Sequence, residues 1–172
     1  MTIREFLEYV EATGIATWVR ESPSYFAYVF VTSCHAIGLA VLAGLNTTVA
    51  LRMLGAAKSV PLASMRGLFP AMWVGFWLNV ASGVLLLMAN AKGMLALPIF
   101  YFKIAFIVLG ALNLRYLQKR VFTNETMLAT NTADSPARRN AWLAIFFWGG
   151  ALVCGRLTAY PGLISRLLGI GS

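Results

Sequence analysis

Three side chains interrupt otherwise apolar stretches of this sequence: His35, Lys103 and Arg156. An imidazole can ligate a metal, and a lone ammonium or guanidinium among apolar residues calls for an anion. No carboxylate stands near them in the chain. After Glu21 the next is Glu125, so residues 22–124 hold neither Asp nor Glu. That gap excludes a pair of catalytic carboxylates in this stretch and leaves His35, the single histidine, without a neighbouring acid for a Ser–His–Asp triad. A GxxxxGK[ST] phosphate loop is absent as well. Two chemistries stay open, an anionic ligand held between helices and a metal ligated by soft donors.

Haem b suits the first. His35 can ligate the iron, Gly38 can admit the macrocycle, and Lys103 with Arg156 can meet the propionates near an aqueous edge. Asn79 and Asn113 are candidates to line the interior beside it. One histidine does not provide two axial imidazoles, so the sixth position is vacant or filled by another donor. Copper suits the second, with Cys34, His35, Met88, Met94 and Cys154 as sulfur and imidazole donors for Cu(I). Their spacing matches no defined metal motif, and methionines in membrane helices also serve simply to pack.

The elements that must position these residues are membrane helices. Of 172 residues, 59% are hydrophobic and 12% charged, and the mean hydropathy is +0.74. A soluble domain of this size could not hide so much apolar surface, whereas a bilayer can. Four runs approach or exceed the ~20 residues a span requires, at about 25–51, 68–91, 95–117 and 141–160. Breakers fall between them at Val60-Pro61, Lys92-Gly93, Leu97-Pro98 and the polar run 123–140. Before them, residues 2 to about 20 read as one amphipathic helix, with Ile3, Phe6, Leu7 and Val10 on one face. Trp18 fits a headgroup-level aromatic. The expected fold is thus an all-α integral membrane four-helix bundle: an interfacial helix over 1–23, a four-span domain over 24–161 and a short tail over 162–172.

Each span carries small or polar residues at helical spacing. These are Tyr28, Thr32, His35, Gly38, Leu42 and Asn46 on the first, and Met72, Gly75, Asn79, Ser82 and Asn90 on the second. The third has Lys103, Phe106, Gly110 and Asn113, and the fourth Gly149, Val153, Arg156 and Tyr160. Such stripes pack helices closely and predict a polar bundle interior. Lysines and arginines orient the chain. The first and third loops carry eight of the fourteen, the opposite side five, and Lys103 is intramembrane. The positive-inside rule then places both termini outside, which in a bacterial inner membrane is the periplasm. By the helical rise, His35 lies roughly 15 Å and Lys103 roughly 12 Å below that outer surface. The net charge of +8 reads as topology and not as a nucleic-acid surface. The two cysteines make no disulfide framework. Expected partners are the lipid bilayer and either a membrane redox partner or a second copy of the chain. A non-catalytic accessory or anchor role remains an alternative.

Three segments resemble the CopD-like superfamily of bacterial four-helix membrane proteins, which includes the CopD copper-resistance domain and the HemJ-type protoporphyrinogen oxidases. They are Ser33-Cys34-His35-Ala36-Ile37-Gly38 continuing to Leu51-Arg52-Met53-Leu54-Gly55, then Arg66-Gly67-Leu68-Phe69-Pro70 with Gly83-Val84-Leu85-Leu86, and Phe100-Tyr101-Phe102-Lys103. The likeness covers roughly residues 25–120 and is nearest to an uncharacterised family of that group. It implies that His35 and Lys103 occupy the positions of a first-span histidine and a third-span lysine associated with haem b and activity in the HemJ-type enzymes. It equally implies copper handling if the CopD side is followed.

Overall fold

The computed structural model describes residues 2–22 and 26–160. The break at 23–25, the Pro161-Gly162 stop and the tail with Arg166 lie outside the described residues. Among those described there is no strand, and the order is α1 (Ile3–Glu11), α2 (Gly14–Glu21), α3 (Phe26–Leu54), a 3-10 turn (Leu62–Gly67), α4 (Leu68–Ala89), α5 (Ala91–Leu95), α6 (Pro98–Arg120), α7 (Glu125–Ala129) and α8 (Ser135–Leu157). Helices α3, α4 with its leading turn, α6 and α8 are each long and apolar enough to cross a membrane. The chain is a multi-pass membrane protein built as an all-α four-helix bundle.

The N-terminal segment is two helices where one was expected. Thr2 opens α1 with a reciprocal cap, its hydroxyl accepting from the Glu5 amide while the Glu5 carboxylate accepts from the Thr2 amide. Thr13 closes α1 by donating its hydroxyl to the Val10 carbonyl at 2.8 Å, and the chain restarts at Gly14. This break lets α2 turn inward and bury Ala16 and Val19, the latter against Val31 and Ala89. Helix α1 has no fully buried residue, with Leu7, Val10 and Glu11 partly covered. It is tied down by charge: Lys92 reaches Glu8 at 3.1 Å and Glu11 at 3.8 Å, and its backbone amide donates to Glu11. Arg20 donates to the carbonyls of Glu11 and Ala89 and pairs with Glu21, so it stands at the negative ends of two helices.

The span boundaries shift for local reasons. Helix α3 runs on to Leu54 because Gly55 (φ 107°) provides the stop. Lys92-Gly93 sits inside α5, so the α4–α6 connection is itself helical. Helix α8 starts at Ser135, well before 141: Asp134 accepts from the Ala137 amide at 2.8 Å, and Pro136 suits the first turn.

Helix α3 packs against both α4 and α8, and α6 packs on α8. The α3–α4 crossing depends on Gly38 and Gly75. A Cβ on Gly38 would lie 2.8 Å from the Gly75 carbonyl and the Asn79 amide, and one on Gly75 would lie 2.9 Å from the Gly38 carbonyl. On the α6–α8 side Gly110 receives Trp148 and Gly150 receives Phe106. The stripe expected on the fourth span is not its inner face, because Val153, Arg156 and Tyr160 are exposed. The buried face of α8 is Ala137, Ala141, Ala144, Trp148, Ala151 and Cys154, small residues that bring α8 close to two neighbours. The main apolar core, around Leu42, Met53, Met72, Leu114 and Trp148, fills the half of the bundle nearer the 55–67 and 121–134 loops. The fourth side of the bundle stays open. Helices α4 and α6 are joined at one end by α5 and toward the other by a Trp73–Gln118 hydrogen bond of 3.0 Å, without close packing between them.

Candidate functional site

That open seam is where two of the three intramembrane ionisable residues lie. His35 of α3 is held against α4. Its Nδ1 is 3.0 Å from the Asn79 carbonyl and 3.2 Å from Ser82 Oγ, while Asn79 Nδ2 donates to the His35 carbonyl at 2.8 Å. A carbonyl only accepts, so Nδ1 carries the proton in this bond. The Ser82 hydroxyl donates to the Leu78 carbonyl at 2.6 Å, which leaves its oxygen free to accept from His35 too. In the neutral ring Nε2 then keeps its lone pair, and it takes no hydrogen bond from any described residue. This is the arrangement by which ligating histidines are oriented: one ring nitrogen donates to a fixed oxygen and the other is left for the ligand.

Gly83 is the residue that admits the ring, since a Cβ there would lie 3.1 Å from His35 Cε1. The imidazole borders a cavity of about 150 Å³ whose walls are α4, through Asn79, Gly83 and Leu87, and α6, through Phe100, Lys103 and Ile107. Lys103 is half-buried and runs its stem past Gly155, with Cε and Nζ 3.6 and 3.8 Å from where a Cβ would sit. It has no hydrogen bond or ion pair with a described residue. An imidazole whose Nε2 takes no hydrogen bond from a described residue and a lysine amine without a described partner thus share one small cavity within the membrane.

The other expected residues are not there. Gly38 makes room for the backbone of α4 and not for a ligand. Asn113 donates to the Asn140 carbonyl at 2.9 Å, joining α6 to α8 about 15 Å along the helix from Lys103. Arg156 is exposed and does not line the cavity. The soft donors do not converge either. Cys34, one residue from His35 on a helix, faces about 100° away from it. Met94 borders a separate depression with Arg20 and Tyr28, Cys154 is buried in the α8 interface, and Met88 lines neither cavity. No group of three or more His, Cys, Asp or Glu able to hold a metal ion occurs among the described residues. Ser82, read in the sequence as packing, turns out to contact the imidazole, and Gly83 and Gly155 shape the site. The signal for the first two was the Asn79-Ser82-Gly83 spacing, which places all three on one face of α4.

No protein-family model, curated protein or solved structure matches this chain.

Proposed function

We propose that this chain binds haem b in the open α4–α6 seam of a bacterial inner-membrane bundle and serves electron transfer or redox chemistry there. The observation that carries the reading is the His35 ring, fixed through Nδ1 by the Asn79 carbonyl, sharing a cavity with Lys103, neither His35 Nε2 nor Lys103 having a partner among the described residues. The residues fit such a group in kind: His35 would offer an imidazole donor and Lys103 a partner for an anionic side group. A cavity of about 150 Å³ is below the roughly 300–1,000 Å³ usual for enclosed ligand pockets. The cavity alone would not enclose a macrocycle, which would have to extend along the α4–α6 seam, where the two helices are not closely packed. When bound, the group would supply a one-electron couple tuned by the ligating residue and by burial. His35 would ligate, Asn79 and Ser82 would fix its tautomer, Gly83 would set its distance from α4, and Lys103 would meet an anionic group. His35 is the single histidine of these 172 residues, so any second imidazole would come from outside them.

Orientation rests on the loops. The end opposite α1 and α2 carries Arg52, Lys58, Arg66, Arg115, Lys119, Arg120, Arg138 and Arg139 against Glu125 and Asp134. At the α1–α2 end Arg4, Arg20 and Lys92 are each paired with a glutamate. On the positive-inside rule the basic end faces the cytoplasm and both termini the periplasm. The test of function is an absorption spectrum of the purified protein, oxidised and dithionite-reduced, with a pyridine haemochrome assay. A stoichiometric b-type signal that His35→Ala abolishes is expected. A flat spectrum from protein expressed with ample haem would sink the reading.

A further inference from the structure

At the basic end of the bundle a second site is built from the last turn of α3 and two loops. Arg52 is only 6% exposed, although it has no carboxylate partner among the described residues. Its Nε donates to the Val60 carbonyl at 2.6 Å, and its Nη2 to Asn131 Oδ1 at 2.7 Å and to the Asn131 carbonyl at 3.3 Å. Asn131, in the left-handed region at φ 55°, also accepts from the Leu62 amide at 2.6 Å and donates to the Lys58 carbonyl. The loops around 58–62 and 130–132 are thereby pinned to each other through one amide and one guanidinium. Arg52 Nη1 bonds to no described residue.

Between these loops lies a cavity of about 390 Å³, bordered by Arg52, Lys58 and Arg138 and by Thr130 and Thr132. None of the three cations has an ion pair with a described residue, and no acid borders the space. The acids of this face are elsewhere: Asp134 caps α8 and lies 4.0 Å from Arg120, and Glu125 sits exposed in the first turn of α7. A buried guanidinium is costly unless its charge and donors are met. Here one edge of the fork is used by the protein and the other is left, with two cations and two hydroxyls around the same space. That is the donor set for a tetrahedral oxyanion.

We propose that this cavity is a binding site for a phosphate group, held by Arg52 Nη1, Lys58 and Arg138, and that it is independent of the haem reading. The phosphate is either the headgroup of an anionic phospholipid in the adjacent leaflet or a soluble phosphate compound. The experiment uses the full chain in phosphatidylcholine nanodiscs with and without phosphatidylglycerol, and reads retained lipid by native mass spectrometry. In parallel, inorganic phosphate and pyrophosphate are titrated against thermal unfolding in phosphatidylcholine alone. The double variant K58Q/R138Q leaves the Arg52–Asn131 clip intact. R115Q/K119Q removes the same charge from the same face outside the cavity.

A headgroup site retains phosphatidylglycerol and gives no shift with phosphate; a soluble-phosphate site gives the shift and no lipid adduct. In either case K58Q/R138Q weakens binding about tenfold or more, while R115Q/K119Q behaves as wild type. Equal weakening by both double variants would mean a diffuse positive field and overturn the site. So would the absence of any retained lipid and any phosphate shift in the wild-type protein.

Discussion

His35 and Asn79 each give the other a backbone carbonyl and take a side-chain donor in return. The two halves of this exchange respond differently to substitution. Asn79→Leu removes the amide donor but leaves the Asn79 carbonyl under Nδ1. It should therefore weaken the α3–α4 pair by about 0.6–1.7 kcal/mol, as read by unfolding in mild detergent, while the His35 tautomer stays as it is by nitrogen NMR. Gly83→Ala should do the reverse. Its Cβ would meet the ring at 3.1 Å, so the imidazole must shift. The expected result is a changed ring-nitrogen spectrum, with loss or perturbation of any haem signal. A wild-type ring spectrum in that variant would show that the ring tolerates the added methyl and that Gly83 does not set its position.

Among the elements, the glycines separate into those that hold helices together and those that do not. Gly38→Ala forces Cβ onto the α4 backbone, which cannot retreat without moving the helix. A loss of ~1–3 kcal/mol is expected. Gly149, in the same bundle, has nothing within 4 Å of its Cβ position, so Gly149→Ala should be neutral or slightly stabilising in the same unfolding assay. The α1–α5 contact responds to pH instead. The Lys92 ammonium, hydrogen-bonded to the Glu8 carboxylate, holds that carboxyl below its ordinary range, with Arg4 adding to the effect. A lowered folded-state pKa means the contribution is complete above the ordinary carboxylate range and fades as pH falls through the lowered value. Acidification should thus loosen α1 from α5, visible as lower amide protection over residues 3–11 relative to the intrinsic exchange rate at each pH, and Lys92→Met should remove most of that pH dependence.

For the molecule as a whole, the open α4–α6 side and the charge difference between its two ends are the features that matter. Orientation is checked by labelling introduced cysteines with a membrane-impermeant maleimide. Thr2→Cys should react in intact cells and Ser59→Cys only after the inner membrane is opened. The reverse pattern would invert the topology and put the His35 cavity nearer the cytoplasm. The four spans, their order, and the inner faces of α3 from His35 to Asn46 and of α4 from Met72 to Ser82 were legible from the sequence, because apolar length and helical period are local properties. Tyr28, Thr32 and Asn90, expected on the same stripes, are exposed. His35, Lys103 and Asn79 were legible too, since a charge or amide among apolar residues stands out wherever the helix ends up. Which of these faces meet is a matter of packing between helices. Helix α8 turns Ala144, Ala151 and Cys154 inward and leaves Arg156 outside, Gly38 faces a backbone, Asn113 joins α6 to α8, and the copper donors point apart. The rotation of each helix follows from which small residues allow the closest backbone approach, a pairwise property that no single span contains.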